Sequence, residues 1–235
     1  EDGKIQLYDI YANPRKDESG AAVDISASDL VEKYLTALGG RQKLDAVKSL
    51  DQTYTMDMMG TSITSRVVQN AGKFTMVMST QGMTVMKQVY DGEKGLMEQG
   101  GQQFPVEGSD LESMKEQSVL FVERNYNMEG YTTEVKGMED VNGKACYKLV
   151  VTKPSGTKST EFYDQTTNLK IKEVQTTIAQ GQTSVTTFEY GDYKAVDGIN
   201  IPHTITVSGP MPTPIVMKAS TIKVNGDIDP SLFKI

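Results

Sequence analysis

LDQTYTMDMMGTSITSRVVQNAGKFTMVM, running from Leu50 to Met78, decides the fold. Leu50, Tyr54, Met56 and Met58 fall on alternate positions, with Asp51, Thr53, Thr55 and Asp57 between them. Side chains of a strand point alternately to opposite faces, so this is a strand with one apolar face and one polar face. Met59-Gly60-Thr61 is turn chemistry, and Ile63 and Val67 resume the alternation. Asn70-Ala71-Gly72 turns the chain again, and Phe74, Met76 and Met78 share the next apolar face. Short turns between such strands predict antiparallel neighbours paired as a meander.

Outward from this stretch the pattern continues. Met83, Val85 and Val89 form the next apolar set. Later strands are expected at Thr132–Met138, Ala145–Thr152, Ser159–Tyr163, Leu169–Ile178, Thr183–Tyr193, Ile201–Val207 and Ile215–Val224. Gln81-Gly82, Asp91-Gly92, Asn142-Gly143 and Gln180-Gly181 punctuate them. A sheet of about ten or eleven strands curls on itself. The fold class is therefore mainly β with a few helices: a long antiparallel meander curled into a half-open barrel.

Helices are few. Asp29 and Glu32 have capping-box spacing, with Ser28 as a second cap candidate. Leu30, Val31, Tyr34, Leu35 and Leu38 then make one helical stripe, and Gly39-Gly40 ends it. A short helix follows from Gln42 to Lys48, and a third is expected within Ser109–Val122, where Leu111 and Met114 share a face. The run Val119 to Val122 reads as a buried helix end or a short strand. Residues 1–27 form a leader: Ile5 to Tyr11 is patterned, and Asn13 to Gly20 is a polar linker. The leader is a flexible segment or the tail of a preceding domain, and one domain is expected over residues 28–235.

Short helices cover only part of so large an apolar face, and a partly filled apolar cavity is the expected consequence. Seven of the thirteen methionines lie between Met56 and Met86. Methionine is unbranched and adaptable, suited to filling core gaps and to a soft binding surface alike. The expected apolar wall is Met56, Met58, Phe74, Met76, Met78 and Val85. The loop Gly209 to Pro214 holds three prolines and would carry Met211 as a stiff lip at the cavity mouth.

Composition excludes other classes. A net charge of -7 on 235 residues opposes nucleic-acid binding, which needs clustered Lys and Arg. The single Cys146 forbids an intrachain disulfide and a multi-cysteine metal site. His203, the only histidine, stands in a strand start, with no second His for a zinc site and no nucleophile elbow for a triad. No phosphate loop and no distinctive carboxylate pair is present. A protein without enzymatic activity, cofactor or metal is expected.

The order of these elements resembles the LolA-like family of periplasmic outer-membrane lipoprotein carriers. Tyr90-Asp91-Gly92-Glu93-Lys94-Gly95 is similar to the family's aspartate-glycine turn between strands. Phe162 to Leu169 is similar to its strand-turn-strand past the middle, and Asp192 to Pro202 to the approach to its last strands. The resemblance covers residues 28 to 235. It departs from the family in having no Trp, and in placing Gln69-Asn70-Ala71 where the carriers have a basic Arg-Pro turn. Gly3 to Pro14 faintly resembles the end of insulinase-type zinc peptidases from bacteria of the Bacteroides group. These resemblances imply a protein of the periplasm or cell envelope of a Gram-negative bacterium that binds lipid or lipoprotein acyl chains. The alternative they imply is a non-catalytic accessory domain, fused to an envelope peptidase or partnered with another envelope protein.

Overall fold

The structure, a computed structural model, describes residues 23–179, 182–209 and 213–235. The leader expectation, apart from its last residues, and Met211 lie outside the described residues. Helix α1 spans Ala27–Leu38 and α2 spans Arg41–Ala46. Helix α3 spans Gly108–Gln117, followed by a 3-10 turn at Val122–Asn125. The strands are β1 (Ser49–Met58), β2 (Thr61–Asn70), β3 (Lys73–Thr80), β4 (Met83–Tyr90), β5 (Gly95–Gln99), β6 (Gln102–Val106), β7 (Thr132–Val141), β8 (Lys144–Thr152), β9 (Lys158–Asp164), β10 (Lys170–Ala179), β11 (Gln182–Val196), β12 (Ile199–Ser208) and β13 (Ile215–Val224).

The thirteen strands make one sheet in the order β6-β5-β4-β3-β2-β1-β13-β12-β11-β10-β9-β8-β7. Every neighbouring pair is antiparallel. Strands β6 and β7 are the two edges and do not pair with each other, so the sheet stays open as a half-barrel. Two strands exceed the expected count: β5 and β6, joined at Gly100-Gly101. Their short, polar sequences carry little alternation. Pro105 is accommodated because β6 is an edge, where a missing N–H breaks no ladder.

Helix α1 starts earlier than its sequence suggests. Ser26 is the N-cap: its hydroxyl accepts the Asp29 backbone N–H at 3.0 Å and donates to the Asp29 carboxylate at 2.7 Å. Asp29 thus occupies the third helical position rather than the cap. The expected stripe Leu30, Val31, Tyr34, Leu35 and Leu38 is buried, packed with Leu149, Val151, Tyr163, Ile199 and Ile201 of the sheet. Gly39 and Gly40 close the helix, their N–H groups reaching Thr36 O at 3.1 Å and Leu35 O at 2.9 Å. Gly39 has φ +138, and a Cβ there would stand 2.5 Å from the Gly198 carbonyl oxygen. Only glycine lets the helix end come this close to the β11–β12 turn.

The same inner face carries α3 further along. Leu111 and Met114 pack with Phe74, Met76, Tyr90, Val67 and Val106. Gly95 makes room, because a Cβ there would meet Leu111, Met114 and Val106 at 3.0 Å each. The outer face has its own small clusters. Val68 and Val89 are covered by Ile228, Leu232 and Phe233 of the C-terminal segment, and Cys146 is buried with Val141 and Phe162. Val89 therefore lies on the face opposite Met76. A register break between Met78 and Ser79 bulges β4 at Val85 and separates Met83 and Val85 from the alternation of Val89. The run Val119–Val122 is neither strand nor helix end. Phe121, at φ 50, breaks the chain there and starts the 3-10 turn.

Candidate functional site

Between the α1 and α3 covers the inner face holds a cavity of about 670 Å³. Its apolar wall is Val67, Phe74, Met76, Phe188, Ile205, Val207 and Met217. Alternation places these on one face: Val67 pairs with Met76 across β2 and β3, and Ile205 with Met217 across β12 and β13. The roof is the segment that ends α3 and runs through the 3-10 turn, with Ser113, Glu116, Val119, Phe121, Val122 and Tyr126 facing in.

The opposite wall is ionic. Lys170 on β10 is buried to 7% side-chain exposure and lies 2.7 Å from Glu123, 3.2 Å from Glu173 and 3.7 Å from Glu161. Burial opposes its charge, but Glu123, Glu161 and Glu173 outweigh it and hold the ammonium well above the usual lysine range. Its Nζ also stands 5.9 Å and 5.7 Å from the ring centres of Tyr34 and Tyr190. Glu173 accepts from Gln175 at 2.9 Å and from the Tyr190 hydroxyl at 3.1 Å, and pairs with Lys153 at 3.4 Å. Burial would raise Glu173, yet Lys170 and Lys153 with the Gln175 hydrogen bond bring it down to about 2.

Glu161 is fully buried. It accepts hydroxyl protons from Tyr126 at 2.6 Å, from Ser159 at 3.2 Å and from Tyr163. Burial pushes its carboxyl up, and the neighbouring Glu173 and Glu123 add to the rise against the pull of Lys170. Three carboxylates face two ammonium groups here, and the deepest one takes the burden.

The roof is tied to the sheet from several sides. Gln69 donates through Nε2 to Gln117 O and Val119 O. Glu116 accepts the Ser155 backbone N–H at 2.8 Å. Within the 3-10 turn, Glu123 points inward to Lys170 while Arg124 binds Asp45 at 2.7 Å and the carbonyls of Leu44 and Leu120. The roof is thus pinned both to the sheet and to α2.

Of the residues expected from sequence, Phe74 and Met76 line the cavity. Met56 lies on the same face by register, buried opposite Ile63, and Met78 and Met58 follow at half-buried positions nearer the hairpin tips. Val85 sits exposed at its bulge, outside the cavity lining. Sequence reading missed Met217, Phe188 and the whole ionic wall. The available signal was charge at inward positions: Ser159, Glu161 and Tyr163 alternate on β9, and Glu173 pairs with Glu161 across β10. His203 is half-buried on β12, its Nδ1 2.9 Å from Ile201 O. Among the described residues no group of acidic, His or Cys side chains is arranged to hold a metal ion.

No family model matches the chain, and no curated protein matches it in sequence at a significant level. Solved structures do match in shape. A LolA superfamily protein from Nitrosomonas europaea superposes with a TM-score of 0.59 at 12% identity, covering 90% of this chain and 98% of that one. A DUF1329 family protein from Desulfovibrio piger gives 0.58 at 12% identity, over 88% and 96% of the two chains. A domain described as an outer membrane lipoprotein-sorting protein from Vibrio parahaemolyticus gives 0.55 at 13% identity, over 86% and 97%. At such identities the likeness is one of fold, and the fold of this chain is the LolA-like half-barrel.

Proposed function

We propose that the protein binds an apolar ligand, a lipid or the acyl chains of a lipoprotein, in the cavity under α3, and that it does so without catalysis in the cell envelope of a Gram-negative bacterium. The observation that carries this reading is the open cavity of about 670 Å³ on the inner face of an unclosed sheet, with one wall of Phe74, Met76, Val67, Ile205, Val207 and Met217. Burial of apolar surface there would drive binding at about 25 cal/mol per Å², less the cost of ordering the chain. The flexible thioethers of Met76 and Met217 would adapt to acyl chains of different shape. Met56, Met58 and Met78 continue the same face toward the rim and would extend the wall for a longer chain, while Val85 would border its mouth. The lipoprotein-sorting description of one fold neighbour agrees with the envelope setting.

Native mass spectrometry of protein purified from a cell envelope tests the reading. The expected result is a co-purified lipid mass that a Met76→Glu variant loses. Protein that is consistently empty and also ignores fluorescent fatty-acid probes would overturn it.

A further inference from the structure

Connections of a meander alternate between the two ends of the sheet. Strand β13 is antiparallel to β1, so the β12–β13 connection falls at the same end as the β1–β2 and β3–β4 hairpin tips. These three connections are neighbours, because the strands run β4-β3-β2-β1-β13-β12. Across Asp57–Ser62, Ser79–Thr84 and Val207–Val216 the sole ionisable residue is Asp57, and its Oδ1 is engaged by the Gly60 N–H at 2.9 Å. The same stretches contain Met58, Met59 and Met83. The opposite end is charged throughout: Asp91, Glu93, Lys94, Asp197, Asp227, Asp229 and Lys234 lie in its connections and C-terminal segment, and Asp140 and Asp164 at strand ends, with Asp164 3.4 Å from Lys144. A chain of net charge -7 thus keeps one rim nearly free of carboxylates.

Met59 violates two local rules at once. It has φ 54 and precedes Gly60 at φ 80, the backbone of a type I′ turn. Asn, Asp or Gly is preferred at that position, and Asn142-Gly143 and Asp197-Gly198 at the far end of the sheet use them with nearly the same φ values, while Ala71-Gly72 there places a small side chain in the same conformation. The Met59 side chain is also fully exposed, and Met83, beside the next tip, is 64% exposed. Neither contributes to any core cluster, so packing gives no reason for an apolar side chain at a strained, solvated tip. Val85 and Val216 add exposed apolar surface close by.

We infer that this rim docks on a phospholipid surface, with Met59 and Met83 inserted at the level of the headgroups and upper acyl chains. Apolar tips without ionic groups suit that interface. The charged groups of both signs at the far end favour water and leave the uncharged apolar rim as the approach face. The inference concerns the outside of the rim and holds whether or not the cavity is loaded.

The chain contains no Trp, so a single reporter can be placed at will. Met59→Trp should shift its emission to the blue on adding vesicles of phosphatidylcholine and phosphatidylglycerol, and brominated lipid should quench it. Ala71→Trp, in the equivalent turn conformation at the far end (φ 49), should do neither. In flotation, Met59→Asn combined with Met83→Thr should lower the vesicle-bound fraction about tenfold through lost apolar insertion. The Asn variant should keep or raise the melting temperature, since Asn suits the turn better. No emission change at position 59, or equal changes at both positions, would overturn the inference. So would wild-type protein that pairs with a second copy across this rim in light scattering and does not float with vesicles.

Discussion

The Lys170 ammonium donates to Glu123 at 2.7 Å, joining the start of strand β10 to the 3-10 turn that roofs the cavity. Lys170 also pairs with Glu173 and stands near Glu161, so one side chain is the counter-ion shared by three buried carboxylates. Lys170→Met should therefore cost about 3–5 kcal/mol, the scale for leaving buried charges without their partner. Urea denaturation measures this. A loss below about 1 kcal/mol, the scale of an exposed pair, would show that the cluster is solvated in solution.

The acids of this cluster give opposite pH dependences. Glu173 is held down near 2, so its contribution is present above the unfolded carboxylate value of 4.5 and is lost as pH falls toward 2. Glu161 is raised, so from pH 4.5 upward the native state holds a proton that the unfolded chain has already lost. Its contribution therefore declines as pH rises through that window. Glu161→Gln should gain stability relative to the parent as pH increases above 4.5, while Glu173→Gln should lose ground to the parent as pH rises from about 2 to 4.5 and then run parallel to it. Melting temperatures of the three proteins across pH 2–8 decide it. Parallel curves for Glu161→Gln and the parent would contradict the assignment.

At the end of α1, Gly39→Ala forces a Cβ to within 2.5 Å of Gly198 O while keeping φ at +138. Backbone cannot yield there as a side-chain tip could, and the expected loss is about 2–4 kcal/mol. Gly60→Ala has a positive φ but open space around it, so it isolates the conformational part of the penalty. Chemical denaturation of both variants should rank Gly39→Ala well below Gly60→Ala.

Alternation and turn chemistry made most of the sheet readable from sequence. β13 was legible to the residue, and β2, β3 and β4 follow from Ile63, Phe74 and Met83 with their turns. Strands β5 and β6 were not, since Gln99, Gln102 and Gln103 give no apolar period. The α1 cap was misplaced because Asp29 can serve either as cap or as third-position partner, and only the extended backbone of Ser26 distinguishes them. On the site, Phe74 and Met76 were readable because same-face parity within one strand is local. Val85 was not, because a bulge changes parity without a sequence mark. The ionic wall depends on β10 bringing Lys170 and Glu173 beside Glu161, and beneath Glu123 of a distant turn. Such contacts are set by strand order and not by local spacing.

Within the cavity, Met76 and Gln175 lie on different walls and allow the ligand reading to be dissected. Met76→Glu places a charge among Phe74, Val67 and Met114, where it would have no partner at hand. It should weaken a fluorescent fatty-acid probe at least about tenfold, since an acyl chain would have to pack against a carboxylate or displace it. Gln175→Leu keeps the volume and removes one hydrogen bond to Glu173. If the probe lies along the apolar wall alone, this change should alter its affinity by less than about threefold, a fraction of one hydrogen bond. If affinity instead falls with Gln175→Leu and survives Met76→Glu, the ligand sits against the ionic wall, and the apolar wall is packing for the α3 roof. Probe titrations on both variants, each checked by melting temperature for intact folding, separate the outcomes. The contrast is informative because the two side chains occupy different strands, β3 and β10, on opposite sides of the cavity.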